Sequence, residues 1–92
     1  MSDIAKHFLS LLQGGVKPEH NAVFSVALTG ADLSNLDLSG IMFVDVDFSG
    51  ANFSQSNLQA CSMFNCTLES ANFSQADLSN AIMNNQKIIE NN

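Results

Sequence analysis

Tryptophan and tyrosine are missing from this 92-residue sequence, proline occurs once, and only three residues are lysine or arginine. Against those stand nine acids, for a formal net charge of −6. An acidic chain of this kind repels a nucleic-acid backbone or an anionic membrane, so no direct nucleic-acid binding and no membrane partner is expected. Long hydrophobic runs are missing too: none approaches the roughly 18 apolar residues that mark a bilayer span. The first twenty residues hold Asp3 and Lys6 within their apolar stretch and show no cleavable signal pattern. Two cysteines, Cys61 and Cys66, are too few for a disulfide framework and suit a reducing compartment. The expected location is therefore cytoplasmic. Charged residues make up 13% and hydrophobic ones 46%, which excludes a disordered acidic tail, and the length allows a single small core.

What the chain does contain is a repeat of period five, running from residue 26. Its units read VALTG, ADLSN, LDLSG, IMFVD, VDFSG, ANFSQ, SNLQA, CSMFN, CTLES, ANFSQ, ADLSN and AIMNN. The third residues are Leu28, Leu33, Leu38, Phe43, Phe48, Phe53, Leu58, Met63, Leu68, Phe73, Leu78 and Met83. All are large and apolar, and they form the expected structural core. First residues are mostly small or β-branched, second residues mostly Asp or Asn, fourth residues mostly Ser. Residues 21–25 make a degenerate further unit centred on Val23. Neither a helical period nor plain strand alternation sustains two inward residues per five. A short extended segment followed by a turn does, and a chain turning the same way every five residues returns above itself after four units. The expected fold is an all-β solenoid, a quadrilateral parallel β-helix of about three coils stacked at about 4.8 Å. Asn or Asp at the second position, with Ser or Gly at the fourth and fifth, is expected to serve the turns.

Units such as Ala31-Asp32-Leu33-Ser34-Asn35 and Ala71-Asn72-Phe73-Ser74-Gln75 resemble the A(D/N)LXX signature of the pentapeptide-repeat family. The resemblance covers residues 26–85, about two-thirds of the chain, and implies a right-handed coil. Val26, Leu36, Ile41 and Val46 depart from the small first position. The resemblance also brings a functional alternative, since some family members look like acidic DNA mimics that bind a type II topoisomerase such as DNA gyrase. Here the repeats hold six acids (Asp32, Asp37, Asp45, Asp47, Glu69 and Asp77) and no Lys or Arg. Those acids scatter over the walls of a rod only about 15 Å long.

Residues 1–20 read as a capping helix with its connector, 21–85 as the β-helix and 86–92 as a C-terminal tail. Within 3–13, Ile4, Phe8, Leu11 and Leu12 recur at helical spacing, with Ser2 or Asp3 as N-cap and Gly14-Gly15 as the stop. This helix is expected to cover the open edge of the first coil. Ile88 and Ile89 in the tail can close the other end or meet a partner.

Catalytic and metal constellations fail on inspection. Asp45 to Gly50 copies the first half of an EF-hand loop, but Ser56 stands where a bidentate carboxylate is required. Both aspartates, Asp45 and Asp47, are expected simply to stand in solvent. Glycosylation-type triplets at Asn52, Asn65 and Asn72 arise from the repeat itself. His7 and His20 lack neighbours at ligand spacing, and Cys61 and Cys66 read as buried small hydrophobes. No enzyme activity, cofactor, metal or small-molecule substrate is expected.

Stacking every twenty residues sorts the outward side chains onto four walls. Three are polar: Thr29, Asp47, Ser49, Thr67 and Glu69 on the first; Asp32, Ser34, Asn52, Ser54, Asn72 and Ser74 on the second; Asp37, Ser39, Asn57, Gln59, Asp77 and Ser79 on the third. The fourth carries Phe24, Met42, Val44, Phe64 and Ile82, large apolar side chains pointing outward. A contiguous patch of this kind is covered by something. Either the N-terminal helix folds back along it, or a protein docks there, a second copy of the chain or a different partner. The expectation is a rigid, non-enzymatic interaction or structural module that self-associates through this face, a two-fold homodimer being the simplest form.

Overall fold

The computed structural model describes residues 1–84 and the backbone of Gln86–Lys87; Ile88 and Ile89 lie outside the described residues. Helix α1 (Asp3–Gln13) starts at Ser2, whose Oγ accepts from the Ala5 N–H at 3.1 Å. It ends where Gly15 takes φ +79°, with Val16 N donating to Leu11 O at 2.9 Å and Gly15 N to Leu12 O at 3.1 Å. This is a Schellman closure, which needs a residue at ease with positive φ. Ala5 and Leu12 are buried, and Phe8 and Leu9 pack half-buried on the same core. The capping stripe read from sequence is thereby corrected. Ile4 is 67% exposed, because the inward face runs through residues 5, 8, 9 and 12, the i, i+3, i+4, i+7 set. Leu11, at the edge of that face, is half-buried.

A connector with one 3-10 turn, Glu19–Asn21, leads into the solenoid. On one wall, β1 (Ala22–Phe24), β2 (Met42–Val44), β3 (Ser62–Phe64) and β4 (Ile82–Met83) stack in parallel, with Val23, Phe43, Met63 and Met83 in one column. The other walls are narrower ladders: Ala27, Asp47 and Thr67; Asp32, Asn52 and Asn72; Asp37, Asn57 and Asp77. On these walls the N–H of central residues in the earlier coils reaches the next coil, as from Leu28 to Asp47 O, Leu33 to Asn52 O and Leu38 to Asn57 O, each at 2.8 Å. Gln86–Lys87, at the start of the segment read from sequence as a C-terminal tail, forms β5, antiparallel to β4 with Lys87 opposite Ile82. Asn84, at φ 50°, begins the reversal.

Corners follow from the fifth residue of each unit. Gly30 (φ 68°), Asn35 (57°), Gly40 (72°) and Gly50 (68°) all turn through the left-handed region. The next unit then closes the turn, as where Ala31 N donates to Leu28 O at 3.1 Å and Ala51 N to Phe48 O at 2.9 Å. Gln55, Ala60, Ser70 and Gln75 adopt the same conformation at φ 57–60°, at a cost on the order of 1–2 kcal/mol each for a residue with a Cβ. Inter-coil bonds such as Gln55 N to Ser74 O and Ala60 N to Ser79 O, both 2.9 Å, offset that cost.

A second regularity links positions two and four. Asp32 Oδ1 accepts from Ser34 N at 3.1 Å and from Ser34 Oγ at 2.6 Å, and Asp37 with Ser39, Asp47 with Ser49 and Asp77 with Ser79 repeat the pair. Asn52 and Asn72 accept the backbone N–H of Ser54 and Ser74. The pairing explains why both positions are polar, in more detail than turn preference alone.

Inside, Val23, Leu28, Leu33, Leu38, Phe43, Phe48, Phe53, Leu58 and Met63 are fully buried. Phe43 meets Phe48 edge-on at 5.1 Å, Phe48 meets Phe53 edge-on at 5.0 Å, and Phe53 stacks flat on Phe73 at 4.9 Å. Leu68, Phe73, Leu78 and Met83, in the last described coil, stay partly exposed.

One polar side chain, Ser56, lies buried in this interior among the described residues. Its Oγ accepts from Leu36 N at 3.0 Å and donates to Leu33 O, bridging a corner of the coil above. That corner has no Leu36 N to Leu33 O bond of the kind that closes its neighbours. Ala76 occupies the same column one coil on, so alanine fits sterically. Ser56→Ala should therefore lower stability by about 1–3 kcal/mol, the cost of leaving buried backbone groups unpaired, as read from urea unfolding followed by circular dichroism.

Candidate functional site

The wall of β1 to β4 differs from the other three in its backbone and in its side chains. Elsewhere most units are tied down by a corner bond, and many also by an Asp or Asn to Ser pair. Here strands of two or three residues form, and two outward columns stand side by side: Ala22, Met42, Ser62 and Ile82, then Phe24, Val44 and Phe64, with Asn84 following just after β4. Phe24 is 56% exposed, while Met42, Val44, Phe64 and Ile82 are half-buried against their own neighbours. Among the described side chains, neither column carries a charge. Asp45, at the adjoining corner, accepts from Asn65 Nδ2 at 2.6 Å.

Helix α1 lies over the end of the solenoid. Gln13 Nε2 donates to Asp32 O at 3.0 Å on the second wall. Lys17 Nζ in the connector reaches Ser39 O at 2.5 Å and Ser39 Oγ at 3.1 Å, with Asp37 Oδ1 at 3.8 Å, on the third. The strands of the apolar wall pack chiefly on one another. Folding of the helix back along this wall, one of the two coverings considered from sequence, is not what the structure does.

The half EF-hand also resolves differently from its expectation. Asp45 is exposed, as expected, and accepts from exposed Asn65, whereas Asp47 is half-buried and accepts from Ser49 N at 2.9 Å and Ser49 Oγ at 2.6 Å. Ser34 beside Asp32, Ser39 beside Asp37 and Ser49 beside Asp47 hold these carboxyls below their ordinary value, because hydroxyl and N–H donors favour the charged form. Asp77 is lowered in the same way by Gln59 and then Ser79.

Cys61 and Cys66 are buried, unbridged corner residues. Burial pushes the Cys61 thiol up to about 11, with Cys66 adding to the shift, and burial also raises Cys66. His7 and His20 are exposed, and His20 Nε2 lies 3.4 Å from Glu19. No pocket and no metal-holding group of His, Cys, Asp or Glu occurs among the described residues, and none of their helices is long and apolar enough to cross a membrane. Sequence reasoning missed two polar devices. One is Ser56, and the other is Asn84, whose amide donates to Cys66 O at 2.8 Å and accepts from Cys66 N at 2.9 Å as a further strand would.

Walls stacked every twenty residues and corners every five define a parallel β-helix repeat protein. A family model described as pentapeptide repeats matches residues 24–59 and 47–85, with eight copies. The chain belongs to the pentapeptide-repeat family, and its quadrilateral β-helix is right-handed. Among solved structures it is similar to HetL, a pentapeptide repeat protein involved in heterocyst differentiation regulation from the cyanobacterium Nostoc. The identity is 23%, the match covers 73% of this chain and 42% of HetL, and the TM-score is 0.30. The chain thus spans less than half the length of that protein. No curated protein matches the sequence.

Two outcomes follow for the titrating groups. The four lowered carboxyls bind fewer protons in the folded chain than in the unfolded one, so their stabilisation is complete above about pH 4 and lost as pH falls through the depressed values. The melting temperature should drop below about pH 4, and changing Asp32, Asp37, Asp47 and Asp77 together to Asn should flatten that decline. Both thiols should resist Ellman's reagent at pH 8 in the folded chain and react fully in guanidinium.

Proposed function

We propose that the chain acts as a small, rigid, non-enzymatic protein-interaction or structural module that self-associates through the wall of β1 to β4. The observation that carries this reading is the uncharged column pair centred on Phe24, Met42, Val44, Phe64 and Ile82 on an otherwise acidic molecule. A flat apolar face on a solenoid is a natural docking surface, because its frame resists deformation and burial of its side chains drives association. The remaining acids favour this reading over topoisomerase binding by DNA mimicry. They are dispersed over several walls, and uncharged Asn52, Asn57 and Thr67 stand next to Asp32, Asp37 and Asp47 in their ladders, which interrupts any anionic stripe.

Light scattering after size exclusion, across a concentration series, tests the proposal. The expected result is a mass that rises with concentration for the wild type. Phe64→Asp should raise the dissociation constant by at least roughly tenfold, as for a central aromatic contact, while leaving the fold intact by circular dichroism. An unchanged concentration dependence in that variant would rule out this wall as the contact.

A further inference from the structure

Within the wall, large and small side chains alternate in a way that plain stickiness does not require. β1 pairs small Ala22 with large Phe24 two residues on, and β3 repeats the arrangement with Ser62 and Phe64. β2, between them, carries Met42 and Val44, of intermediate and similar bulk. The columns stand in direct register, residue 22 over 42 over 62 over 82. Small side chains therefore line one side of the first and third rows and aromatic rings the other.

We infer that the occupant of this wall is a second copy of the chain, lying side by side with the first, coils level, about a two-fold axis parallel to the solenoid axis. This inference rests on the self-association proposed above and specifies its geometry. Such an axis lays each row on the same row of the other copy and exchanges the two columns. Phe24 then faces the second copy's Ala22, Phe64 faces its Ser62, Met42 faces its Val44, and Ile82 faces its Asn84. Each ring meets a notch, as face-to-face sheets about 10 Å apart require if their side chains are to interdigitate.

A two-fold axis along the strands fits less well. Centred on β2, it sets Phe24 against Phe64, leaves Ala22 facing Ser62 across a gap, and brings Asp45 opposite Asp45. Shifted by half a step, it puts Phe24 over Asn84 and crowds Phe64 onto Val44. The parallel axis instead places the two Asp45 side chains at opposite margins of the contact. Charge argues for the same wall, since the others carry Asp47 and Glu69, Asp32, or Asp37 and Asp77 and would oppose like charge on a second copy. The face is small, because four strands are only about 14 Å tall. Buried area therefore falls at the low end for specific complexes, below about 1,200 Å² in total, and the dimer is concentration-dependent.

Exchanging notch and ring within a row tests the arrangement. Ser62→Phe alone sets ring against ring and should weaken dimerisation roughly tenfold or more. The double variant Ser62→Phe/Phe64→Ser should restore it to near the wild-type value, because the exchanged columns still interlock. Ala22→Phe and Ala22→Phe/Phe24→Ala make the same comparison in the first row, and decide the matter should the third-row variants fail to fold. Ser62→Phe that tightens association, or a folded double variant that stays weak, overturns the arrangement. In that case loss of association in Phe64→Asp still upholds the wall. A wild type that stays monomeric at every concentration overturns both.

Discussion

Every five residues a backbone torsion near +60° swings the chain through a corner, and hydrogen bonds such as Gly30 N to Ser49 O and Gln55 N to Ser74 O tie such corners to the next coil. The corner and the ladder need each other. Without the ladder, Gln55, Ala60, Ser70 and Gln75 would relax out of the left-handed region; without corners at a strict interval of five, residues twenty apart would not align and no ladder could form. The central Leu, Phe and Met residues then have one place to go. Their burial supplies the driving force, while the corners decide the shape in which it is realised.

The solenoid was legible because period five is impossible for a helix or an ordinary strand, and because every central position from Leu28 to Met83 obeys it. The apolar wall was legible for a related reason: once residues twenty apart share a wall, Phe24, Val44 and Phe64 must fall in one column. Details that depend on contact between coils were not. Ser56 looks like ordinary variation at a small position, since its partners, Leu33 and Leu36, lie a full coil away. The helix face was misjudged because Ala5 is too small to register in a hydrophobic period, although its size lets α1 sit close to the coil, whereas bulky Ile4 attracts attention and points outward. The Asp or Asn to Ser pairing was visible as a composition bias, but its two-residue hydrogen bond became plain only with the side chains placed.

The three polar walls spend many of their outward positions on this local pairing, as at Asp32, Asp37, Asp47 and Asp77, so much of their chemistry is tied to the stability of their corners. The fourth is relieved of that duty. Regular parallel strands carry its backbone, and neither Ala22 and Phe24 nor Met42 and Val44 take part in holding a turn. Its surface can therefore be apolar without weakening the frame, which is the condition for a binding face on so small a domain.

The two ends of the apolar sheet differ. At the N-terminal end β1 begins the stack, whereas at the other β5 runs against the direction of all four strands before it. A further coil entering in the same sense would have to pair with a strand of the wrong polarity. The reversal thus ends the parallel ladder at β4: a further copy entering in the same sense would meet β5 antiparallel, so the wall cannot be extended as an unbroken parallel ladder.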